Sequence, residues 1–246
     1  MKADLKTKLV VLAIIVVVIT IAFSSVSCIR IVGLQGSGNV VSEEREVSGF
    51  NAIALSAGMN LYLEQGDKEY CKIEAEDNVI TQIITEVKNG KLIIRYKNML
   101  GGITNIKPVN FHITFKNLNE ISASSGSRVE SSLINTDSLK VNISSGATGT
   151  FEVNARTLDV GLSSGSQMEI SGETGDQKVN LSSGVTYDAE DLKSKNAEIS
   201  VSSGAQAKIA VSDNLNVNIS SGGSVYYSGK PQVTSNISSG GLLKSN

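Results

Sequence analysis

From residue 120 onward the chain alternates apolar and polar residues in short runs, and each run closes on the tripeptide Ser-Ser-Gly. The runs are Ile121-Ser122-Ala123, Val141-Asn142-Ile143, Val160-Gly161-Leu162, Val179-Asn180-Leu181, Ile199-Ser200-Val201, Val217-Asn218-Ile219 and Ser235-Asn236-Ile237. Period-two alternation closed by glycine predicts a short strand ending in a turn. The tripeptides end at Gly126, Gly146, Gly165, Gly184, Gly204, Gly222 and Gly240, seven copies spaced 20, 19, 19, 20, 18 and 18 residues apart. A second strand follows most turns, as in Phe151-Glu152-Val153, Met168-Glu169-Ile170 and Val225-Tyr226-Tyr227.

Each unit is too short to hold a helix between its strands, and no segment after 120 has a 3.6-residue apolar period. An extended chain of 18–20 residues makes one turn about a narrow core and sets each strand beside its counterpart in the next unit. The pattern therefore predicts a parallel β-solenoid, in which one repeat cannot bury its apolar face but stacked neighbours can. At about 4.8 Å per step, the six steps between seven copies give a rod of roughly 29 Å.

With Val141 and Ile143 inward, strict alternation carries the second serine of each tripeptide inward too, as a column of Ser125, Ser145, Ser164, Ser183, Ser203, Ser221 and Ser239. Buried hydroxyls persist only when paired, so the expectation is a hydroxyl ladder along the axis. The glycine after each serine would supply positive φ or close approach at the corner. No repeated base accompanies these serines, so they are read as structural rather than nucleophilic. The outward positions ahead of each run are Glu120, Lys140, Asp159, Lys178, Glu198, Asn216 and Thr234, and their charge alternates over five units. In a parallel stack each charge then sits between opposite ones, which sets register more than it adds stability. Asn142, Asn180, Asn218 and Asn236 open N-x-S sequons, but at repeat-fixed strand positions they are read as by-products of the repeat.

Ahead of residue 119 the alternation is less regular. Strands are expected at 51–55, 59–64, 70–76, 91–96 and 109–115, the last from Val109, Phe111, Ile113 and Phe115. One short helix is expected over 77–86, with Asp77 or Asn78 as its cap and Val79, Ile80, Ile83, Ile84 and Val87 as its apolar face. Residues 47–246 then form one solenoid domain, with 47–118 as cap and first coils and 119–246 as Ser-Ser-Gly coils. Residues 29–46, with Gly36-Ser37-Gly38-Asn39 and Glu43-Glu44-Arg45-Glu46, read as a linker.

Residues 1–28 are a signal or anchor. Met1–Lys8 carries three lysines and one aspartate, and Leu9–Phe23 is apolar apart from Thr20. Ser24-Ser25-Val26-Ser27-Cys28 resembles a lipobox, with Cys28 as the lipidated first residue of the mature chain. The alternatives are an uncleaved anchor over the 21 residues Leu9–Ile29 and plain secretion. All three send residues 30–246 outside the cytoplasm, into the cell envelope or onto its surface. With Cys28 acylated, Cys71 reads as a small buried apolar residue; otherwise a Cys28–Cys71 disulfide is open to it.

Charge narrows the partners. The chain has 22 Lys+Arg and 24 Asp+Glu, net −2, and beyond residue 27 the balance is 19 against 23, net −4. That leaves no basic excess for nucleic acid. Two cysteines and one histidine give no metal site, and no cofactor is expected.

Several segments carry a family resemblance. They are Gly36-Ser37-Gly38-Asn39-Val40, Val47-Ser48-Gly49-Phe50-Asn51-Ala52-Ile53, Leu55-Ser56-Ala57-Gly58, Glu64-Gln65-Gly66-Asp67 and Glu86-Val87-Lys88-Asn89-Gly90-Lys91-Leu92. With the Ser-Ser-Gly units they resemble the auto-transporter adhesin head GIN domain family of bacterial envelope proteins, over about residues 36–245. The resemblance implies an all-β fold, a single-stranded parallel right-handed β-helix, here with a β-rich N-terminal cap and one short helix. It also implies a protein that is commonly a lipoprotein and has no established activity.

Catalytic chemistry is thin. His112 alternates with Phe111 and Ile113 and so falls on the outer strand face, with no second histidine for a triad or metal. Asp188, Glu190 and Asp191, flanked by Tyr187 and Lys193, form the densest acidic cluster in the repeats and read as a solvated loop. Their alternative is a carbohydrate-active enzyme of polysaccharide-lyase type. The calcium-binding GGxGxD repeat, Thr-x-Thr arrays and a phosphate-binding loop are all absent. The expectation is a non-enzymatic, envelope-tethered solenoid without catalytic residues: an adhesin, or a surface-binding or structural protein. It would be held to the membrane by lipid or helix and bind a protein or glycan. Self-association through an open last coil is a further reading.

Overall fold

The computed structural model of the chain describes residues 33–97 and 102–246, so the leader and Cys28 lie outside the described residues. The N-terminal part consists of β1 (Leu34–Gln35), β2 (Val40–Glu44), β3 (Ala52–Leu55), β4 (Asn60–Gln65), β5 (Tyr70–Glu76) and the helix α1 (Asp77–Ile80). It continues through β6 (Ile83–Lys88), β7 (Lys91–Tyr96), β8 (Ile103–Thr104), β9 (Asn110–Phe115) and β10 (Glu120–Ala123). The coils follow as β11 (Arg128–Ile143), β12 (Thr148–Leu162), β13 (Gln167–Leu181), β14 (Thr186–Val201) and β15 (Gln206–Ile219). The last is split into β16 (Ser224–Ser228), β17 (Gln232–Ile237) and β18 (Leu242–Ser245).

The stack is a parallel β-solenoid, as the repeat predicts. Ile121, Val141, Val160, Val179, Ile199 and Val217 are successive lateral partners, each at most 0% exposed. Burying a Val or Ile contributes about 1.5–3 kcal/mol, so this column supplies much of what one coil alone lacks. One contiguous apolar core runs from Phe50 to Val225. The charged column also forms in the expected register: Glu120 pairs with Lys140, Lys140 with Asp159, Asp159 with Lys178, and Lys178 with Glu198. Lys178 Nζ lies 3.2 Å from Glu198, and Lys91 Nζ, from the cap, 2.8 Å from Glu120.

The cap ends the parallel stack with antiparallel strands. On one side β3 pairs in parallel with β7, and β6 then covers β7 antiparallel. The β6–β7 turn is Asn89-Gly90, both at positive φ (51° and 75°), as a two-residue hairpin of type I′ requires. On the other side β4 pairs in parallel with β9, while β5 covers β9 and β2 covers β5, both antiparallel.

Two expectations need correction here. The helix over 77–86 shrinks to the four residues of α1, and Ile83–Lys88 is strand. The Asn89-Gly90 turn returns the chain onto β7, and pairing there outweighs the helical spacing of Val79, Ile80, Ile83 and Val87. The cap position is Glu76, with no side-chain capping bond, rather than Asp77 or Asn78. Second, the stretch read as linker contributes β1 and β2 to the folded body. The buried Glu76 carboxylate accepts hydrogen bonds from Gly38 N–H at 2.6 Å and Lys107 N–H at 2.9 Å. Asp77 accepts one from the Asn39 amide at 3.0 Å, and Asn78 donates to the Gln35 carbonyl at 2.8 Å. A Cβ at position 36 would sit 2.3 Å from the Glu76 carboxylate and would push it off the two N–H groups it accepts from.

Candidate functional site

The repeated tripeptide builds the corner of the solenoid, in a way the alternation misjudges. Ser125, Ser145, Ser164, Ser183, Ser203, Ser221 and Ser239 all have positive φ (48–63°) and are exposed, and the following glycines are exposed with φ of 66–77°. Two consecutive left-handed residues make a type I′ turn, closed by bonds such as Ala147 N–H to Ser144 O at 3.1 Å. The strand ends at the first serine, so alternation stops one residue early and the second serine points outward. The expected hydroxyl ladder is therefore replaced by a backbone one. Gly126 N–H donates to Ser145 O, Gly146 to Ser164, Gly165 to Ser183, Gly184 to Ser203, Gly204 to Ser221 and Gly222 to Ser239, at 3.0–3.1 Å. Ala57-Gly58 in the cap (φ 70° and 72°) repeats the same conformation with alanine in place of serine.

Two lateral faces flank this corner, and their chemistry differs. The strand after the turn presents a charged row: Glu130, Thr150, Glu169, Asp188, Lys208, Tyr226 and Lys244 are successive partners. Into the cap the row continues as Tyr62 and His112, whose rings stack with centroids 5.1 Å apart. The strand before the turn presents carboxamides and hydroxyls. Ser138, Thr157, Asp176, Asn196, Asn214 and Gln232 are lateral partners at one offset, and Asn142, Gly161, Asn180, Ser200, Asn218 and Asn236 at another. In the first column the Asn196 amide donates to Asp176 and the Asn214 amide to Asn196, both at 2.8 Å. A groove of about 620 Å³ runs along this column over Leu158, Gln177, Ala197 and Leu215, and a second of about 400 Å³ lies beside it among Asn180, Asn218 and Asn236. The sequence reading passed over the Asp176, Asn196, Asn214, Gln232 column, although its offsets repeat with the turns.

The acidic cluster is not assembled as a reaction centre. Tyr187 is fully buried, donating to Gln177 at 3.2 Å within the core, and burial raises its phenol pKa. Asp188 and Glu190 both face Lys208 Nζ, at 3.3 and 2.9 Å, and hold that ammonium above its usual pKa. Lys193 pairs instead with Glu173 at 3.4 Å. His112 is half-exposed, 3.8 Å from Glu74. Cys71 is buried and has no disulfide partner among the described residues, and burial pushes its thiol up to about 12. Among the described residues no group of three His, Cys, Asp or Glu side chains is arranged to hold a metal ion.

The family profile described as "Putative auto-transporter adhesin, head GIN domain" matches residues 49–231. The chain belongs to this family. Solved structures share the head GIN domain fold. One, a "putative adhesin" from Bacteroides fragilis, is 21% identical with TM-score 0.79, covering 87% of this chain and 100% of its own. Another, from Parabacteroides merdae and also named a "putative adhesin", is 18% identical with TM-score 0.72, covering 87% and 99%. A third, from Parabacteroides distasonis, is named a "putative lipid binding protein" and is 20% identical with TM-score 0.72, covering 87% and 99%. At these identities the likeness establishes the fold. No functionally curated protein matches the chain.

Proposed function

We propose that this head GIN domain protein is a non-enzymatic solenoid tethered to the cell envelope, whose lateral faces bind a partner as an adhesin does. The observation that carries the reading is the continuous, register-locked outer face of stacked coils, which offers an extended surface rather than a catalytic pocket. The names of the family and of the adhesin-type structures support it. The carbohydrate-enzyme alternative loses support because Lys208 occupies Asp188 and Glu190 and Tyr187 faces the core. Tethering through acylated Cys28, or through an uncleaved apolar helix, belongs to the same proposal.

Protease treatment of intact cells should release the solenoid, and mass spectrometry of the mature N-terminus should find acyl-Cys28 or an uncleaved Met1. A protein protected inside cells overturns the reading. Turnover of any member of a glycan panel, lost in Asp188→Ala, overturns its non-enzymatic part.

Self-association is a second reading, favoured by one observation. Val233, Ile237 and Leu242 are 38%, 43% and 44% exposed on β17 and β18. Among the described residues these strands pair on one side only, with β15 and β16, and an exposed apolar edge can take a strand from a second copy. Monomer mass in sedimentation at high concentration removes this reading.

A further inference from the structure

The groove over Leu158, Ala197 and Leu215 runs across the strands, along the axis of the solenoid. Its walls repeat at the strand spacing, about 4.8 Å. A ligand that fills it must be elongated and must repeat at a similar distance. Along β12–β15 an extended peptide gains nothing from main-chain pairing, because the backbone groups of these strands already pair between coils and none is left for strand addition. Recognition therefore rests on side chains.

Those side chains are carboxamides, each a planar donor and acceptor, serine and threonine hydroxyls, and the charged groups of Asp159, Asp176, Lys178 and Glu198. Such groups satisfy ligand hydroxyls that donate and accept at once. The apolar floor suits the C–H face of a sugar ring. Charge selects further: the groove carries the carboxylates of Asp159, Asp176 and Glu198 against the single ammonium of Lys178, so its field is weakly negative and turns away an anionic ligand. An anionic polymer finds no cationic track here. The neighbouring carboxamide groove widens the same face.

We propose that this face binds a neutral, extended polysaccharide laid along the solenoid axis with about one sugar per coil, its hydroxyls held by Asp176, Asn196, Asn214 and Asn216. The proposal rests on the adhesin reading and names its ligand class and face.

Affinity electrophoresis of the full-length protein in detergent tests it, with gels containing glucomannan, xylan, laminarin or, as the acidic comparison, alginate. At least one neutral polysaccharide should retard the protein and alginate should not. Asn214→Ala with Asn216→Ala should weaken that retardation about tenfold, the loss expected for two hydrogen bonds of modest net strength. Asn216→Arg, fully outside the amide ladder, should do so without disturbing the fold, whereas Thr150→Ala on the charged face should leave binding unchanged. Retardation by alginate alone, or full binding by the Asn216→Arg protein, overturns the proposal. A parallel assay on fixed cell surfaces separates the two readings. Attachment to cells without retardation by any neutral glycan, or attachment abolished by protease treatment of the surface, overturns the glycan ligand and leaves the adhesin reading intact. Absence of both overturns both.

Discussion

Ser125, Ser145, Ser164, Ser183, Ser203, Ser221 and Ser239 hold left-handed backbone, where a residue with a Cβ gives up about 1–2 kcal/mol. The Gly N–H to Ser O bonds between coils offset that cost and keep the turns in line. Asparagine tolerates this conformation better than serine, so Ser164→Asn should raise stability by about 0.5–1 kcal/mol. Urea unfolding checks it; an unchanged or lower midpoint would mean that the serine hydroxyl does more at the corner than its exposure implies. Gly172 is the opposite case. At φ 110° it brings its backbone against the Val153 carbonyl, where a Cβ would lie 2.0 Å from the oxygen. Gly172→Ala should therefore cost about 2 kcal/mol or more, read as a lowered melting temperature, unless the bulge between β13 and β14 relaxes to admit the methyl group.

At the scale of elements, β3, β4, β5, β7 and β9 were legible to within about a residue, since each alternates inward and outward side chains over its own length. The segment Ile83–Lys88 was not, because the same apolar residues fit a helical face, and only the Asn89-Gly90 turn, which reverses the chain, decides between them. Nor was β2, whose residues are mostly exposed and whose strand exists because β5 offers it an edge. The cap these elements build is held by carboxylates that acid removes. Lys72 holds Glu74 below the usual carboxylate range, Ser37 and Asn39 do the same for Asp77, Lys88 for Glu86 and Lys91 for Glu120. A depressed folded-state pKa contributes stability above the unfolded value, about 3.9–4.3, and loses it as pH falls through the folded one. Hydrogen-exchange protection in β2, β5 and the β6–β7 hairpin should thus drop below about pH 4 while β12–β14 stay protected. Equal loss in both regions would tie acid sensitivity to the coils instead.

For the whole molecule, seven copies of one tripeptide at a nearly constant spacing made the solenoid readable, and the lateral pairing of Glu120, Lys140, Asp159, Lys178 and Glu198 followed from it. The candidate site was less readable. The offsets of Asp176, Asn196 and Asn214 recur with the turns, but which outward columns share a face depends on where each long strand bends, as at the register shifts between Glu130 and Leu133 and between Ala189 and Lys193. The alternating column has a consequence for the length of the rod. Removing residues 147–165, one coil of 19 residues, joins Gly146 to Ser166 and sets Lys140 beside Lys178. Removing 147–184, two coils, sets Lys140 beside Glu198 and restores attraction. In the full chain Lys178→Glu places three acids in a row and should cost about 0.5–1 kcal/mol. In the one-coil deletion, position 178 has Lys140 on one side and Glu198 on the other, so the same substitution should be close to neutral. Chemical denaturation of the four proteins compares the two costs, and equal costs would deny the column any part in register. Within the five coils from Glu120 to Glu198, growth or loss of this rod is therefore smooth by pairs of coils and carries a mismatch when the number is odd, a parity rule written in the signs of one column.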